Sequence, residues 1–577
     1  MSGGDTVEVR PPRLAEWLTA PLRANRAIYV KVAVAAVMIN LFALVSSLFS
    51  MTVYNRIIPN NATESLIALS VGLGIILIFD FVLKILRAYF IDMAGADVDH
   101  AMGERVFDQL LAIRLDRKRG TTGGLASTMR ELETLRDFFA SATVTALVDG
   151  PFILITLIVI LLIGGWLILV PLVMIPIVLI AAWFTHPMLE RMSGKGMAEA
   201  MLKQSVLVEA IGGLETIKSV NAAPLLRRRW MIAVQAHTRT SLLQRLISTI
   251  TLTIATSGQQ IAYAAVVVLG VFLIGSGHLS MGGLIACSIL TGRALAPLSQ
   301  IASLLSRLSA TATAYRQIDG LMRTPVEGPD GVRLTPARLE GRVEFRGVSF
   351  AYPGAAQKAL NEISFAIRPG EKVALLGRVG SGKSTIARMI LGLYPPEEGV
   401  VLIDGAEVRQ LDPEAMRQHI GAVLQDSVLL SGTVRDNIRL DRECVDDEEL
   451  LRAATLSGTH EFVGRLANGY DLHLADRGES LSGGQRQSIA VARALAGRPS
   501  LLLLDEPSSA MDNQTEQALI QRLSDEMQDR TVLLVTHRMP LLRLVDRIIL
   551  LDAGRIVADG PRDAVLGQLQ GGSAVHG

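Results

Sequence analysis

The stretch "ALLGRVGSGKST", residues 374–385, sets Gly377 four residues ahead of the run Gly382, Lys383 and Ser384. Glycines at such positions let backbone amides close around a polyphosphate, and a helix that starts at the lysine adds its positive end. The motif has meaning only between a strand and a helix, and "EKVALL" before it and "TIARMILGLY" after it read that way. Nucleotide binding is therefore expected at Gly377, Arg378, Val379, Gly380, Ser381, Gly382, Lys383, Ser384 and Thr385, with ATP and Mg²⁺ as the ligands. Lys383 would reach the β- and γ-phosphates and act in catalysis, and Ser384 would hold the metal.

A second stretch, "LLLLDEPSSAMDNQTE" at 501–516, ends an apolar run on two adjacent carboxylates. Such a pair is ordinarily just solvated. At the tip of a buried strand in a phosphate-binding domain the two acids take separate tasks. Asp505 orients the Mg²⁺ shell, and Glu506 faces the water that attacks the γ-phosphate.

An α/β scaffold must position these groups. Past the proline- and glycine-rich segment 323–341, short β-branched runs alternate with helical stretches and turn residues, as in an α/β domain. The expected division is a cytoplasmic N-terminal segment 1–26, a transmembrane domain 27–323, a linker 324–341 and one nucleotide-binding domain 342–577.

The first half obeys a different solvent. Half of the 577 residues are hydrophobic and 19% are charged, too apolar a balance for an ordinary soluble protein. Nearly uncharged stretches run over 32–53, 66–79, 150–163, 166–184, 247–274 and 283–302, the last broken by Arg293. A bilayer core needs about 20 apolar residues per helix, so six spans are expected, with the second extended past Asp80 and Lys84. Those two stand at i,i+4 and can pair on one helix face; a structural salt bridge and a substrate-handling role both remain open for them. Lysine and arginine crowd before the first span and between spans two and three and four and five, which puts both termini on the cytoplasmic side. The two long basic connections carry apolar residues at helical spacing, so the membrane helices are expected to run on into the cytoplasm. Separate surface helices are the alternative. Two cysteines, Cys287 and Cys444, supply neither a disulfide framework nor a metal cluster. No cleaved signal peptide is read before the first span. A net charge of +1 makes no case for nucleic acid, and six spans exclude a soluble nucleic-acid ATPase.

One further motif carries a resemblance. "LSGGQRQ" at 481–487 is similar to the signature of ATP-binding-cassette proteins, and the remaining cassette motifs follow in order. Tyr352 in "FAYPG" resembles the aromatic that stacks on adenine. Gln425 in "AVLQDS" resembles the Q-loop glutamine, which touches the metal and the reaction centre. Asp512 closes the D-loop, and His537 in "LLVTHR" resembles the switch histidine. In this family two cassettes pair head to tail, and Ser482, Gly483, Gly484 and Gln485 of one would cap the γ-phosphate bound by the other. One cassette per chain thus implies a homodimeric half-transporter. The implied fold is a six-helix, all-α transmembrane domain of the exporter type followed by an α/β P-loop ATPase domain.

"VYNRIIPNNATESL", "STMRELETLRDFFASATVTALVDGPF", "RQLDPEAMRQHIG" and the D-loop "SAMD" are similar to the type I secretion ATPases that export RTX-type proteins. That resemblance implies a bacterial inner-membrane protein working with a periplasmic adaptor and a TolC-like outer-membrane channel. Its cargo would be a secreted protein with an uncleaved C-terminal signal. Many such ATPases carry an N-terminal peptidase or peptidase-like domain, which is not expected here. Export of a lipid, drug or other small molecule by the same fold is the alternative, since fold does not dictate cargo; an ATP-gated channel is a third.

Overall fold

The computed structural model describes residues 15–117, 122–139, 148–328 and 333–572. The N-terminal residues 1–14, the middle of the linker and residues 118–121 of the first basic connection lie outside these. The chain divides into two compact units, one of residues 1–111 and 119–324, the other of 112–118 and 325–577.

The first unit is helical. A short α1 (Glu16–Ala24) leads into α2 (Arg26–Thr52), α3 (Thr63–Ala112), α4 (Thr122–Asp137), α5 (Phe152–Gly164), α6 (Leu169–Gly212), α7 (Ala223–Gly275) and α8 (Met281–Met322). At 50 residues α3 is about 75 Å long by its rise per residue, more than twice a bilayer core. "ERVFDQLLAI" continues that helix, whereas "TMRELETLRDFF" falls largely in the separate α4.

Among the described residues five helical stretches are long and apolar enough to cross a membrane, which corrects the expected six. The expected third and fourth spans share one stretch, Phe152–Gly212. Its helix is interrupted at Gly165, whose φ of +50° suits a residue without Cβ. Gly164, just before the break, lies against Cys287 near the start of α8, and beyond it α6 runs down to a Glu190–Arg316 ion pair of 3.0 Å.

Charges of the second expected span form two ion pairs. Lys84 reaches Asp80 at 2.6 Å along one face of α3. Arg87 of α3 donates to both oxygens of Asp149, at 3.2 and 3.3 Å. Asn40 of α2 donates to the same carboxylate at 3.0 Å. Removing one partner of this partly buried ion pair strands the other away from bulk water. Arg87→Met is thus expected to destabilise the chain by about 3 kcal/mol, and adding Asp149→Asn should restore most of that. Thermal unfolding in lipid nanodiscs measures both; a single variant as stable as the wild type would refute the assignment.

The second unit holds two sheets. The four-stranded antiparallel sheet has the order β2 (Leu360–Ile367), β1 (Val343–Phe350), β4 (Glu398–Ile403), β5 (Ala406–Glu407). A two-stranded ribbon joins β7 (Gly432–Thr433) to β8 (His473–Leu474). The six-stranded sheet has the order β12 (Arg555–Pro561), β11 (Arg547–Asp552), β3 (Lys372–Gly377), β10 (Thr531–Val535), β9 (Leu501–Asp505), β6 (Ile420–Val423). From β11 to β6 its pairing is parallel.

Parallel strands are covered on both faces, which explains the four leucines of β9. Leu501 and Leu503 pack into one core with Ile386 and Met389. Leu502 and Leu504 enter a second core with Ile489 and Leu519. Side chains alternate along a strand, so both cores are served by one uninterrupted apolar run.

Candidate active site

Register alone gathers the expected residues. Asp505 pairs with Val535, Val423 with Leu504, and Val535 with Leu375. The carboxyl ends of β3, β9, β10 and β6 therefore lie side by side, the usual ligand position in open α/β sheets. From these ends come the P-loop, Asp505 with Glu506, His537 and Gln425.

The loop between β3 and α9 (Lys383–Ile390) needs its glycines. Gly377 has φ +151°, and a Cβ there would lie 2.1 Å from the Leu551 carbonyl oxygen. Gly382 caps α9 at φ +100°, where a Cβ would lie 2.6 Å from the Ala359 carbonyl oxygen. Lys383 folds back over the loop and donates to the carbonyls of Gly377 and Arg378, both at 2.8 Å, and to Ser381 Oγ at 3.3 Å. Burial lowers the pKa of its ammonium, while Asp505 and Glu506 pull the other way.

Asp505 is 2% exposed. Burial raises its pKa, a hydrogen bond from Ser384 opposes that rise, and the adjacent Glu506 adds to it. Its Oδ2 is buried, and among the described residues nothing hydrogen-bonds it. An orphaned, desolvated carboxylate oxygen beside a serine hydroxyl fits a hard divalent cation that takes oxygen ligands.

Glu506 sits at φ +55°, a conformation that is strained for a residue with Cβ. Its amide donates to Val535 O at 2.8 Å. Its Oε1 lies 2.6 Å from Nδ1 of His537, whose side chain is 70% exposed. The two thus form a pair at the solvent edge of the sheet. Gln425 lies two residues beyond the end of β6 and is exposed.

Tyr352 is half-buried at the mouth of the loop, edge-on to Phe350 and Tyr394 with ring centroids 5.0 and 5.2 Å away. Its hydroxyl meets Thr385 Oγ1 at 3.1 Å and accepts from Arg388 at 2.9 Å. Sequence reasoning missed Arg388, although it lies one helical turn after Ser384 and so on the same face.

Three expected residues serve local structure. Ser482 and Gln485 form a reciprocal capping box at the start of α10 (Gly483–Leu495). Asp512 caps α11 (Asn513–Glu526); bonds from the Thr515 amide and hydroxyl hold its carboxyl below the usual range. Gly483 and Gly484 lie against Ala510. A second missed residue is Gln487, in the same helix. It donates to the Glu506 carbonyl at 2.6 Å and to Ser509 Oγ at 3.0 Å, and accepts from the Ala510 amide at 2.8 Å. Its i+3 and i+4 spacing from the two glycines was the available signal.

A P-loop, a strand-end acid pair, a histidine against the second acid and a capped signature helix, on a chain with long apolar helices, define an ATP-driven membrane transporter. Comparison with known proteins specifies it further. Residues 360–509 match the family model described as ABC transporter, and 29–296 match that of the ABC transporter transmembrane region. The toxin RTX-I translocation ATP-binding protein of Actinobacillus pleuropneumoniae is 31% identical over 556 residues, covering 96% of this chain and 78% of the relative. The exotoxin translocation ATP-binding protein PaxB of Pasteurella aerogenes is 32% identical, covering 95% of this chain and 77% of its own. The leukotoxin translocation protein LktB of Mannheimia haemolytica is also 32% identical, with 95% and 78% covered. A solved bacterial Atm1-family ABC exporter with ATP bound has the same fold, with a TM-score of 0.82 over 96% of each chain at 23% identity. The chain belongs to the ABC transporter family, in the branch of the type I secretion exporters, and is a multi-pass membrane ATPase.

Proposed function

We propose that this chain, as a homodimer in the bacterial inner membrane with both termini in the cytoplasm, uses ATP to export a protein. The observation that carries the reading is similarity over nearly the whole chain, membrane half included, to proteins named for toxin translocation. The basic residues around 105–136 and 191–229 support a cytoplasmic location for those segments.

In this reading the P-loop amides and Lys383 bind the β- and γ-phosphates, and Tyr352 stacks on the adenine. Ser384, Asp505 and Gln425 hold Mg²⁺, which when bound neutralises charge on the phosphate oxygens. Glu506 accepts the proton of the attacking water as the water oxygen bonds to the γ-phosphorus and the bond to ADP breaks. His537 keeps the Glu506 carboxylate aimed and faces the γ-phosphate. Ser482, Gly483, Gly484 and Gln485 of one chain cap the nucleotide on the P-loop of the other, with Asp512 beside them. Phosphoryl transfer of this type rests on positioning and electrostatics.

The export partners in this reading are a periplasmic adaptor and a TolC-like channel, and the cargo carries a C-terminal signal. The test uses the chain reconstituted in proteoliposomes with the C-terminal segment of a glycine- and aspartate-repeat protein encoded beside it. That segment is expected to change the ATPase rate. A rate that ignores it and responds only to a lipid or drug would overturn protein export.

A further inference from the structure

Glu506 is held by its backbone from two sides. Its amide is tied to β10 through Val535 O at 2.8 Å. Its carbonyl is tied to α10 through Gln487 Nε2 at 2.6 Å. The same Gln487 amide spans the next loop, through Ser509 Oγ and the Ala510 amide. From the opposite side Arg538, next to His537, donates to Ser509 O at 3.1 Å and to Glu516 at 3.1 Å. The residues after Glu506 are therefore clamped between the signature helix and the histidine segment. Gln487 spends its side-chain amide on these main-chain groups and on Ser509, and at φ +55° Glu506 cannot hold its orientation by local preference.

We propose that Gln487 is a positioning residue that ties the signature end of α10 to the catalytic Glu506 of the same chain. The inference rests on the homodimer reading above. There, Ser482 and Gly483 of α10 meet the nucleotide bound by the partner chain, while Gln487, one turn further on, orients the glutamate of its own site. ATP arriving on the partner's P-loop draws on the start of α10, and Gln487 carries that displacement to Glu506. Each site then reaches full activity only when the other is filled, and hydrolysis is cooperative in ATP.

The experiment measures basal ATPase against ATP concentration, without cargo, on the full chain in nanodiscs. Binding of a fluorescent ATP analogue and thermal unfolding are followed in parallel. Wild type is expected to be cooperative. Gln487→Met, which removes all three bonds, should bind the analogue normally, lose roughly ten- to a hundredfold in kcat and lose cooperativity. Gln487→Glu keeps an acceptor for the Ala510 amide but cannot donate to the Glu506 carbonyl, and is expected to behave likewise; if Gln487→Met fails to fold, it decides the question alone. A folded variant whose kcat falls with cooperativity intact would reduce Gln487 to loop packing and overturn the proposal. Wild-type kcat in either variant, or a non-cooperative wild type, would overturn it as well. A chain that stays monomeric with ATP fails the homodimer reading instead.

Discussion

Glu506→Gln is expected to bind ATP with near wild-type affinity, to accumulate as a closed dimer and to lose hydrolysis by roughly 10²- to 10⁴-fold, the usual worth of a general base. The amide keeps the size of the carboxylate and can still meet His537, now 2.6 Å from Oε1. The backbone ties to Val535 and Gln487 do not involve the side chain at all. What disappears is the proton acceptor, so binding and turnover separate. Size-exclusion chromatography with ATP and a phosphate-release assay read the two effects independently. Near-normal turnover would sink the assignment of Glu506 as base.

Asp505→Asn should move stability and activity in opposite directions. Burial raises the folded-state pKa of this carboxyl above its ordinary value. The folded chain therefore binds the proton more tightly than the unfolded one, and stability contributed by the group is lost as pH rises from about 4, the unfolded value, through the raised value. At neutral pH the ionised group is a net cost, and its Oδ2 finds no protein donor among the described residues. A neutral isostere removes that cost. Without ligand the variant is expected to melt at or above the wild-type temperature at pH 7, with the difference vanishing toward about pH 4. Wild type should gain far more stability from Mg²⁺-ATP than the variant does, since binding to the native state alone stabilises it. Hydrolysis should fall by roughly 10²- to 10³-fold, as when one preorganised electrostatic contact is lost. A ligand-free variant less stable than wild type at pH 7 would contradict this account, and so would normal hydrolysis.

The paired acids were legible because their position is a local matter. An unbroken run such as Leu501 to Leu504 can be a strand with two buried faces, and the residues directly after such a strand must emerge at its end. The glycines of the P-loop were legible for a similar reason, since positive φ and close backbone approach leave no room for another residue. The site residues that sequence reasoning missed act across long separations. Arg388 finds Tyr352 across 36 positions, and Gln487 finds the Glu506 carbonyl across 19. Helical spacing from Ser384 and from the signature glycines put each on the face of residues already read, but nothing local names the distant partner. Asp512 and Ser482 were read for the nucleotide, and the single chain shows them capping helices.

In the membrane half, length and apolarity identified the spanning material and the break at Gly164 and Gly165, but read that break as dividing two spans where the structure has one stretch. Gly164 and Gly165 sit in one helical stretch whose interruption depends on a single positive φ and on what packs against Cys287. The partners of Asp149 were equally hidden, because Asn40 and Arg87 come from two other helices. By itself the sequence located the elements of the proposed chemistry: a phosphate-loop motif, a pair of strand-end acids and an apolar half. These depend on backbone conformation and solvent preference within a few residues. The tertiary structure decided which side chains aim those groups, because hydrogen bonds are directional and their partners are brought together only by strand register and helix packing.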